Sequence, residues 1–315
     1  MTSDEISALR AAIAGGEPFI AFILPGDDRL RLRGLDSVRI EPWGACSGAM
    51  PVPELSTDKA DYCARMASLI EGLRRRQGKA VVCRTICGNS ESLDPAAIAE
   101  AYFPLFPATL RFLFRTPSGY WIGASPELLL DEDGNAYRTR ALAGTRRAGT
   151  RGPWSEKNIA EHEFVVRDMT TTLSRFSVAV DVGKAETLPY GPVEHLCTRI
   201  LVAGDPGSGA QIAAALHPTA AIAGYPRSEA LSEIAAFETT PRGYYTGTIT
   251  IPLGPDRSLT YVILRTAHFD SHRWCVYTGS GITAASDPDD EWDETAAKAE
   301  PLVGVLSRSA QSLQS

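Results

Sequence analysis

A glycine-rich turn that leads into an acidic helix, at residues 279–298, is the feature that most constrains this chain. Ser-Asp-Pro at 286–288 predicts a helix start, because serine or aspartate caps free N–H groups and proline is tolerated in a first helical turn. Glu291, Glu294 and Lys298 follow at helical spacing on one face. Glycines and a helix N-terminus favour an anion, and paired carboxylates suit a hard cation. The segment indicates either a carboxylate and Mg²⁺ site or a solvated helix start with one salt bridge.

Elsewhere the pattern alternates between short strands and separate helices, which is typical of the α+β class. Helices are predicted at 4–14, 56–77, 156–173, 208–216, 226–237 and from 287, where Pro301 should kink or restart the last one. Strands are predicted at 18–24, 79–87, 110–114, 120–122, 127–130 and 136–139, followed by consecutive antiparallel strands at 244–251, 259–269 and 273–277.

Charge and composition exclude several function classes. The chain has 31 basic and 38 acidic residues, a net charge of −7 and no basic stripe, which argues against nucleic-acid binding. No apolar run is long enough to span a membrane, and the N-terminus lacks a signal-type segment. The six cysteines, among them Cys46, show no zinc-binding spacing and are expected to be reduced and mostly buried. We therefore expect a cytoplasmic protein.

A series of short motifs occurs in a fixed order along the chain. They are Lys79–Arg84, Ala124–Leu129, Ala141–Arg146, Glu161–Val166, His195–Thr198, Leu216–Gly224, Arg242–Gly247, Arg265 within Val262–Ala267, and the C-terminal segment. Over residues 79–298 the chain resembles the chorismate-utilising enzymes, which include anthranilate synthase component I, aminodeoxychorismate synthase component I, isochorismate synthase and salicylate synthase. Residues 1–78 carry no matching motif.

The resemblance implies a specific fold. It implies two large, mainly antiparallel β-sheets packed as a sandwich, with helices outside and the active site between the sheets. Residues 1–315 would form a single chorismate-binding catalytic domain, in which 79–300 is the motif-bearing core and 1–78 an abbreviated N-terminal portion. Lys79 comes earlier in the chain than in typical members, so we expect that portion to be trimmed. We expect the protein to be a monomer that does not associate with a glutaminase subunit.

The resemblance also implies catalytic roles for three residues. Lys79 would be the general base, because water-adding members carry lysine there; only a neutral lysine accepts a proton, so its surroundings must favour that form. Glu127 would be the general acid, kept protonated by burial. His195 would lie against the substrate ring. Without the resemblance, Lys79 reads as an exposed residue after a helix, Glu127 as an edge-strand carboxylate and His195 as a structural hydrogen-bond donor.

Metal and substrate ligands follow from the same comparison. Glu161 and Glu294 would bind Mg²⁺, with Glu291 acting directly or through water. Glu163 should be solvated, and His162 and His217 should make structural hydrogen bonds. The substrate chorismate would be bound by Arg265, which is costly to bury unpaired, and by seven other residues and backbone groups. These are Gly144, Thr145, Ala221, Ile222, Tyr245, Gly281 and Lys298.

The resemblance is closest to isochorismate synthase, an isomerase of siderophore, menaquinone or secondary-metabolite biosynthesis. Lys79 favours water over ammonia, and Ala221-Ile222 differs from the Thr-Ala of siderophore-type salicylate synthases. Salicylate synthase, an ammonia-adding synthase and a non-catalytic chorismate-binding protein remain alternatives. Thr246, Thr248 and Thr250, which replace smaller residues, are expected to narrow the pocket, and Ser280 replaces alanine.

Overall fold

The fold is built mainly from antiparallel strands. The structure, a computed structural model, describes residues 1–44, 50–177 and 179–309, so Cys46 lies outside the described residues. The strands are β1 (Phe19–Ile23), β2 (Arg31–Gly34), β3 (Arg39–Glu41), β4 (Lys79–Asn89), β5 (Leu110–Thr116), β6 (Gly119–Ser125), β7 (Leu128–Asp133), β8 (Ala136–Arg147), β9 (Val180–Val182), β10 (Glu186–Tyr190), β11 (Val193–Ala203), β12 (Gly224–Tyr225), β13 (Thr248–Gly254), β14 (Arg257–Val262), β15 (Thr266–Phe269) and β16 (Arg273–Thr283).

Within the described residues, the strands form two sheets of eight strands each. Sheet I has the order β12-β4-β16-β15-β6-β5-β1-β2, and sheet II has the order β10-β11-β8-β7-β14-β13-β3, with β9 paired to β11. The N-terminal strands join both sheets, since β1 and β2 extend sheet I and β3 pairs with β13 in sheet II. The predicted sandwich of two large antiparallel sheets is confirmed.

Helices cover the outer faces of the sandwich. They are α1 (Ser3–Gly15), α2 (Lys59–Arg76), α3 (Pro95–Tyr102), α4 (Glu156–Leu173), α5 (Gly209–Leu216), α6 (Arg227–Phe237) and α7 (Pro288–Ser309). Helix α7 packs on β16 and α6 on β4, while α4 packs on β8 and α5 on β7. None of the described helices is long and apolar enough to cross a membrane.

Strand alternation explains this layering. In β5, Phe112 and Phe114 belong to the cluster between the sheets, which also contains Ile249 and Tyr261 of sheet II. The intervening Leu113 belongs to the cluster under α1, α3 and α7. Each fully buried aromatic side chain of this kind contributes about 1.5–3 kcal/mol through burial.

One predicted strand is wrong in an informative way. Residues 259–269 do not form one strand, because Arg265 adopts a left-handed φ of 51° and ends the extended run. The chain passes there from β14 in sheet II to β15 in sheet I. The strand predicted from residue 244 begins only at Thr248, and α7 continues through Pro301 without restarting.

A second crossing lies beside the first. Between β6 and β7 the chain passes from sheet I to sheet II at Pro126 and Glu127. The two crossings are hydrogen bonded, since the Val262 N–H donates to the Glu127 carbonyl at 3.1 Å and the Ala124 N–H donates to the Arg265 carbonyl at 3.3 Å. Glu127 and Arg265 are thereby fixed at the same junction of the two sheets.

Candidate active site

A cavity between the sheets collects most of the predicted site residues. Its wall contains all of them except Glu291 and Glu294, which line an adjoining cleft together with Lys157 and Thr145. The cavity is lined by Lys79, Val81, Pro126, Glu127, Leu142, Ala143, Gly144, Thr145, Glu161, His195, Ala221, Ile222, Tyr245, Thr246, Leu264, Arg265, Tyr277, Thr278, Gly279, Ser280, Gly281 and Lys298.

Lys79 is a buried cation at the start of a central strand. Its residue is 1% exposed, and β4 is paired on both sides, with Tyr225 and Thr283 opposite Lys79. The ammonium Nζ lies 3.1 Å from Oε1 of Glu161, whose residue is also buried. The alternative reading of Lys79 as an exposed lysine after a helix is therefore wrong.

The glycines of β16 make room for this ion pair. A Cβ at Gly281 would collide with the carboxylate of Glu161 and the stem of Lys79, and one at Gly279 would lie 3.0 Å from the Tyr245 hydroxyl. The glycine-rich sequence thus creates space for site side chains. Ser280 lines the cavity, but strand alternation turns its side chain to the opposite face of β16 from these glycines.

Glu127 is a buried carboxyl at the junction between the sheets. Its residue is 4% exposed, and the Thr219 hydroxyl lies 3.4 Å from Oε1. Burial raises the pKa of Glu127 to about 7, although the ammonium groups of Lys79 and Lys298 oppose this shift. Glu127 therefore retains a proton for much of the neutral range, and it is not the solvated edge carboxylate of the alternative reading.

Glu161 projects from helix α4 into the cavity. Burial opposes its ionisation, but the ammonium groups of Lys79, Lys157 and Lys298 lower the pKa of Glu161 to about 2. Its neighbour Glu163 is exposed, as predicted, and His162 Nε2 makes a 2.8 Å hydrogen bond with the Thr198 hydroxyl. Glu161 is therefore the ionised carboxylate of this wall.

Two further carboxylates come from helix α7. Asp287 accepts from the Asp289 and Asp290 N–H groups and so caps the helix start. Glu291 is 2% exposed and accepts from the Ser286 hydroxyl at 2.7 Å, while Glu294 pairs with Lys298 at 2.6 Å. Burial and repulsion from Glu294 raise the pKa of Glu291 to about 6.

Lys157 was not among the predicted site residues, yet it links two of them. Its Nζ lies 2.6 Å from Oε1 of Glu291 and 3.6 Å from Oε2 of Glu161. The sequence signal was available, because Lys157 lies four residues before Glu161 on the same helical face. Lysine is not a metal ligand, so a pattern of metal ligands does not point to it.

The three glutamates proposed as metal ligands have the oxygen donors that Mg²⁺ prefers, but each of them is paired with a lysine. Glu161, Glu291 and Glu294 supply the carboxylate oxygens that Mg²⁺ prefers, and Oε2 of Glu291 is buried without a hydrogen-bond partner among the described residues. Across the described ranges, no three His, Cys, Asp or Glu side chains are grouped closely enough to hold a metal ion. The three carboxylates therefore suit Mg²⁺ by their chemistry, and their contacts with the lysines must open before they can share one ion.

Arg265 faces the cavity beside His195. Its Nη2 lies 3.0 Å from His195 Nε2, and its buried Nη1 has no partner among the described residues. Burial and the Arg265 charge hold the pKa of His195 well below its ordinary value, so the ring is neutral. His195 Nδ1 lies 3.1 Å from the Thr145 hydroxyl and 3.3 Å from the Gly144 carbonyl. The free guanidinium N–H groups are placed to donate to an anion.

Two loops complete the wall near Tyr245. Ile222 is 2% exposed, and its carbonyl accepts from Arg242 Nη1, which also donates to the Thr246 hydroxyl at 3.1 Å. Thr246 has a φ of 62°, which is unusual for a β-branched residue. Of the three threonines expected to narrow the pocket, Thr246 lines it. Thr248 and Thr250 are not among the lining residues.

Comparison with known proteins agrees with this arrangement. Residues 51–304 match the model of a family described as chorismate binding enzyme. The isochorismate synthase MenF of Haemophilus influenzae is 33% identical over 59% of this chain and 46% of its own length. The salicylate biosynthesis isochorismate synthase of Pseudomonas aeruginosa is 30% identical over 90% of this chain and 64% of its own length.

A solved structure supports the same assignment. That of DhbC from Bacillus anthracis matches with a TM-score of 0.74 and 25% identity, covering 96% of this chain and 87% of that one. The chain spans about half to two-thirds of the two curated relatives' lengths. The match over residues 51–304 shows that the chain belongs to the family of chorismate-binding enzymes.

Proposed function

We propose that this chorismate-binding enzyme is a Mg²⁺-dependent isochorismate synthase, which adds water at C2 of chorismate while the C4 hydroxyl departs. The observation that carries the proposal is the placement of Lys79 and Glu127. They come from different segments of the sandwich, Lys79 from a strand of sheet I and Glu127 from the junction with sheet II, and both line one cavity. The reaction needs a base and an acid on separate sides of a ring.

Each residue then has one proton to move. Lys79 in its neutral form accepts a proton from the attacking water, and a new C–O bond forms at C2 as the ring double bonds shift and the C4–O bond breaks. Glu127, whose pKa is about 7, donates its proton to the C4 oxygen, which leaves as water. Water is both consumed and released, so the reaction is an isomerisation.

The remaining wall would hold the substrate. The unpartnered Arg265 Nη1 and its neighbour Nη2 suit a bidentate contact with a carboxylate. Glu161, Glu291 and Glu294 would hold Mg²⁺, which when bound would stabilise charge on the ring carboxylate. Gly144, Thr145, His195 and Tyr245 would enclose the ring.

Water rather than ammonia is the proposed nucleophile because Lys79, a cationic side chain able to act as a base once neutral, stands beside the cavity. Salicylate synthase is the second candidate, since the reactions differ only in whether pyruvate is then lost. Ile222 in the wall favours release of isochorismate. A cytoplasmic, monomeric protein without a glutaminase subunit stays our expectation.

The test is to incubate the protein with chorismate and Mg²⁺ in ¹⁸O-enriched water and separate the products by chromatography before mass analysis. Isochorismate with one ¹⁸O atom is expected, since its C2 oxygen comes from solvent. EDTA should abolish the product and added Mg²⁺ should restore it. Glu161→Gln should be inactive, while the exposed neighbour variant Glu163→Gln should behave like wild type. Unlabelled chorismate alone would overturn the proposal.

A further inference from the structure

Lys157 occupies the space between two carboxylates from different helices. It projects from α4, pairs with Glu291 of α7 at 2.6 Å and lies 3.6 Å from Glu161 on its own helix. Its side chain is 20% exposed, so water screens these contacts weakly. No other lysine bridges Glu161 and Glu291 in the described part of the chain, since Lys79 contacts Glu161 and Lys298 contacts Glu294.

The ion pair with Lys157 leaves the carboxylate of Glu291 only partly hydrogen bonded. Oε1 of Glu291 accepts from Lys157 and Ser286, but Oε2 is buried and unpartnered among the described residues. A buried carboxylate oxygen without a partner is costly, and an ammonium is a point charge that cannot reach both oxygens here. A divalent cation between Glu161 and Glu291 would supply more charge and would reach more oxygens.

We propose that Lys157 is an internal counter-cation that holds Glu161 and Glu291 in the metal-free protein and must be displaced before Mg²⁺ binds. Lys157 therefore sets the Mg²⁺ affinity of the substrate-free enzyme. This inference rests on the proposed function, because it assumes that these carboxylates take Mg²⁺.

The structure provides a place for the displaced side chain. Lys157 lines the open cleft beside the cavity, and the same cleft is lined by Asp290 and Asp293. Asp290 and Asp293 are exposed, so an ammonium that leaves Glu291 finds solvent and two carboxylates on the outer side of α7.

The test is to titrate substrate-free protein with Mg²⁺, with the affinity measured by calorimetry and the stability measured as the melting temperature. Lys157→Gln should bind Mg²⁺ about tenfold more tightly than wild type, because one competing charge is removed from between two carboxylates. Without metal its melting temperature should fall, and saturating Mg²⁺ should raise it by more than in wild type. Lys157→Met carries the same expectation if the glutamine variant does not fold.

Two controls separate this effect from general charge. Lys157→Arg keeps the cation and should bind Mg²⁺ with an affinity close to that of wild type. Lys59→Gln removes a lysine of α2 that pairs at 2.6 Å with Asp289 of α7, the helix that also carries Glu291. Because this pair is exposed, the variant should leave the Mg²⁺ affinity unchanged. Equal or weaker Mg²⁺ binding by Lys157→Gln would overturn the proposal.

Failure of the proposed function gives a different result. The metal site itself is absent if neither wild type nor Lys157→Gln binds Mg²⁺, and if Glu161→Gln gives the same Mg²⁺ titration as these two proteins whether or not chorismate is present. If wild type binds Mg²⁺ and loses it in Glu161→Gln, while Lys157→Gln is unchanged, the site stands and the role of Lys157 falls.

Discussion

Arg265 Nη2 lies 3.0 Å from Nε2 of His195, and this contact orients both side chains toward the cavity. Because the pKa of His195 is held well below its ordinary value, the neutral ring accepts from the guanidinium through Nε2. Nδ1 then carries the proton and donates toward the Thr145 hydroxyl or the Gly144 carbonyl. The result is a buried guanidinium whose Nη1 has no partner among the described residues.

We expect Arg265→Gln to weaken substrate binding strongly. Loss of a buried charge-assisted contact costs about 2–4 kcal/mol, which corresponds to a fall of roughly 30- to 1000-fold in kcat/KM. Arg265→Lys should recover only part of this, because lysine lacks the bidentate fork. Steady-state kinetics with chorismate measure the effect, and Arg257→Gln, which removes an exposed arginine paired with Asp133, is the control. Equal kcat/KM in wild type and Arg265→Gln would remove Arg265 from substrate binding.

The raised pKa of Glu127 predicts how activity depends on pH. If the protonated carboxyl donates to the leaving oxygen, kcat/KM at a fixed protonation state of Lys79 should fall about tenfold per pH unit above pH 7, where the Glu127 proton is lost. Glu127→Gln should be inactive at every pH. Steady-state kinetics measure both effects, and turnover that survives in Glu127→Gln would show that Glu127 is not the acid.

The same shift predicts a change in stability. The folded-state pKa of about 7 exceeds the ordinary glutamate pKa of about 4.5, so the stabilisation is complete below pH 4.5 and is lost as pH rises through 7. Relative to Glu127→Gln, the free energy of unfolding of wild type should decline over this window by up to about 3 kcal/mol. Urea denaturation at matched pH values measures it.

Much of the fold could be predicted because many of its helices and strands carry strong local sequence signals. The helix over 156–173 was predicted with the observed bounds, since Ser155 caps it and its apolar face is periodic. The helix Pro95–Tyr102 was missed, although Asp94-Pro95 is a helix-start signal. The division of residues 259–269 between two sheets was also missed, because a left-handed arginine carries no local sequence signature.

The site could be predicted from motifs, but its ion pairs could not. Sequence spacing placed Glu294 and Lys298 on one face, and they pair at 2.6 Å. It could not show that Lys79 meets Glu161, or that Lys157 meets Glu291, since each pair joins separate elements that only the packed sandwich brings together. The assigned roles of these residues stay predictions until they are tested.

Lys79→Gln tests the proposed base directly. We expect this variant to lose hydration of chorismate, because glutamine cannot accept the proton of the attacking water. High concentrations of ammonia should restore turnover to an aminated product, since ammonia needs less help from a base. Product analysis by mass measures both, with the exposed variant Lys184→Gln as the control. An undiminished hydration rate in Lys79→Gln would remove both the base assignment and the argument against an ammonia-using enzyme.

The last prediction concerns the choice of product at Ala221 and Ile222. Both residues line the cavity, and Ile222 is held by the hydrogen bond from Arg242 to its carbonyl. Loss of pyruvate transfers a ring hydrogen to the enolpyruvyl side chain, which must fold over the ring to receive it. We expect the bulk of Ile222 to disfavour that fold, so wild type should form isochorismate with little pyruvate.

Changing Ala221→Thr together with Ile222→Ala should open that space and add a hydroxyl that can hold the folded side chain. The double variant should form more salicylate and more pyruvate than wild type at the same chorismate turnover. A coupled lactate dehydrogenase assay measures the pyruvate, and the single variants show which position controls the outcome. Because pyruvate release separates the two reactions, stoichiometric pyruvate from the wild type would make this chain a salicylate synthase and would reverse the interpretation of Ile222.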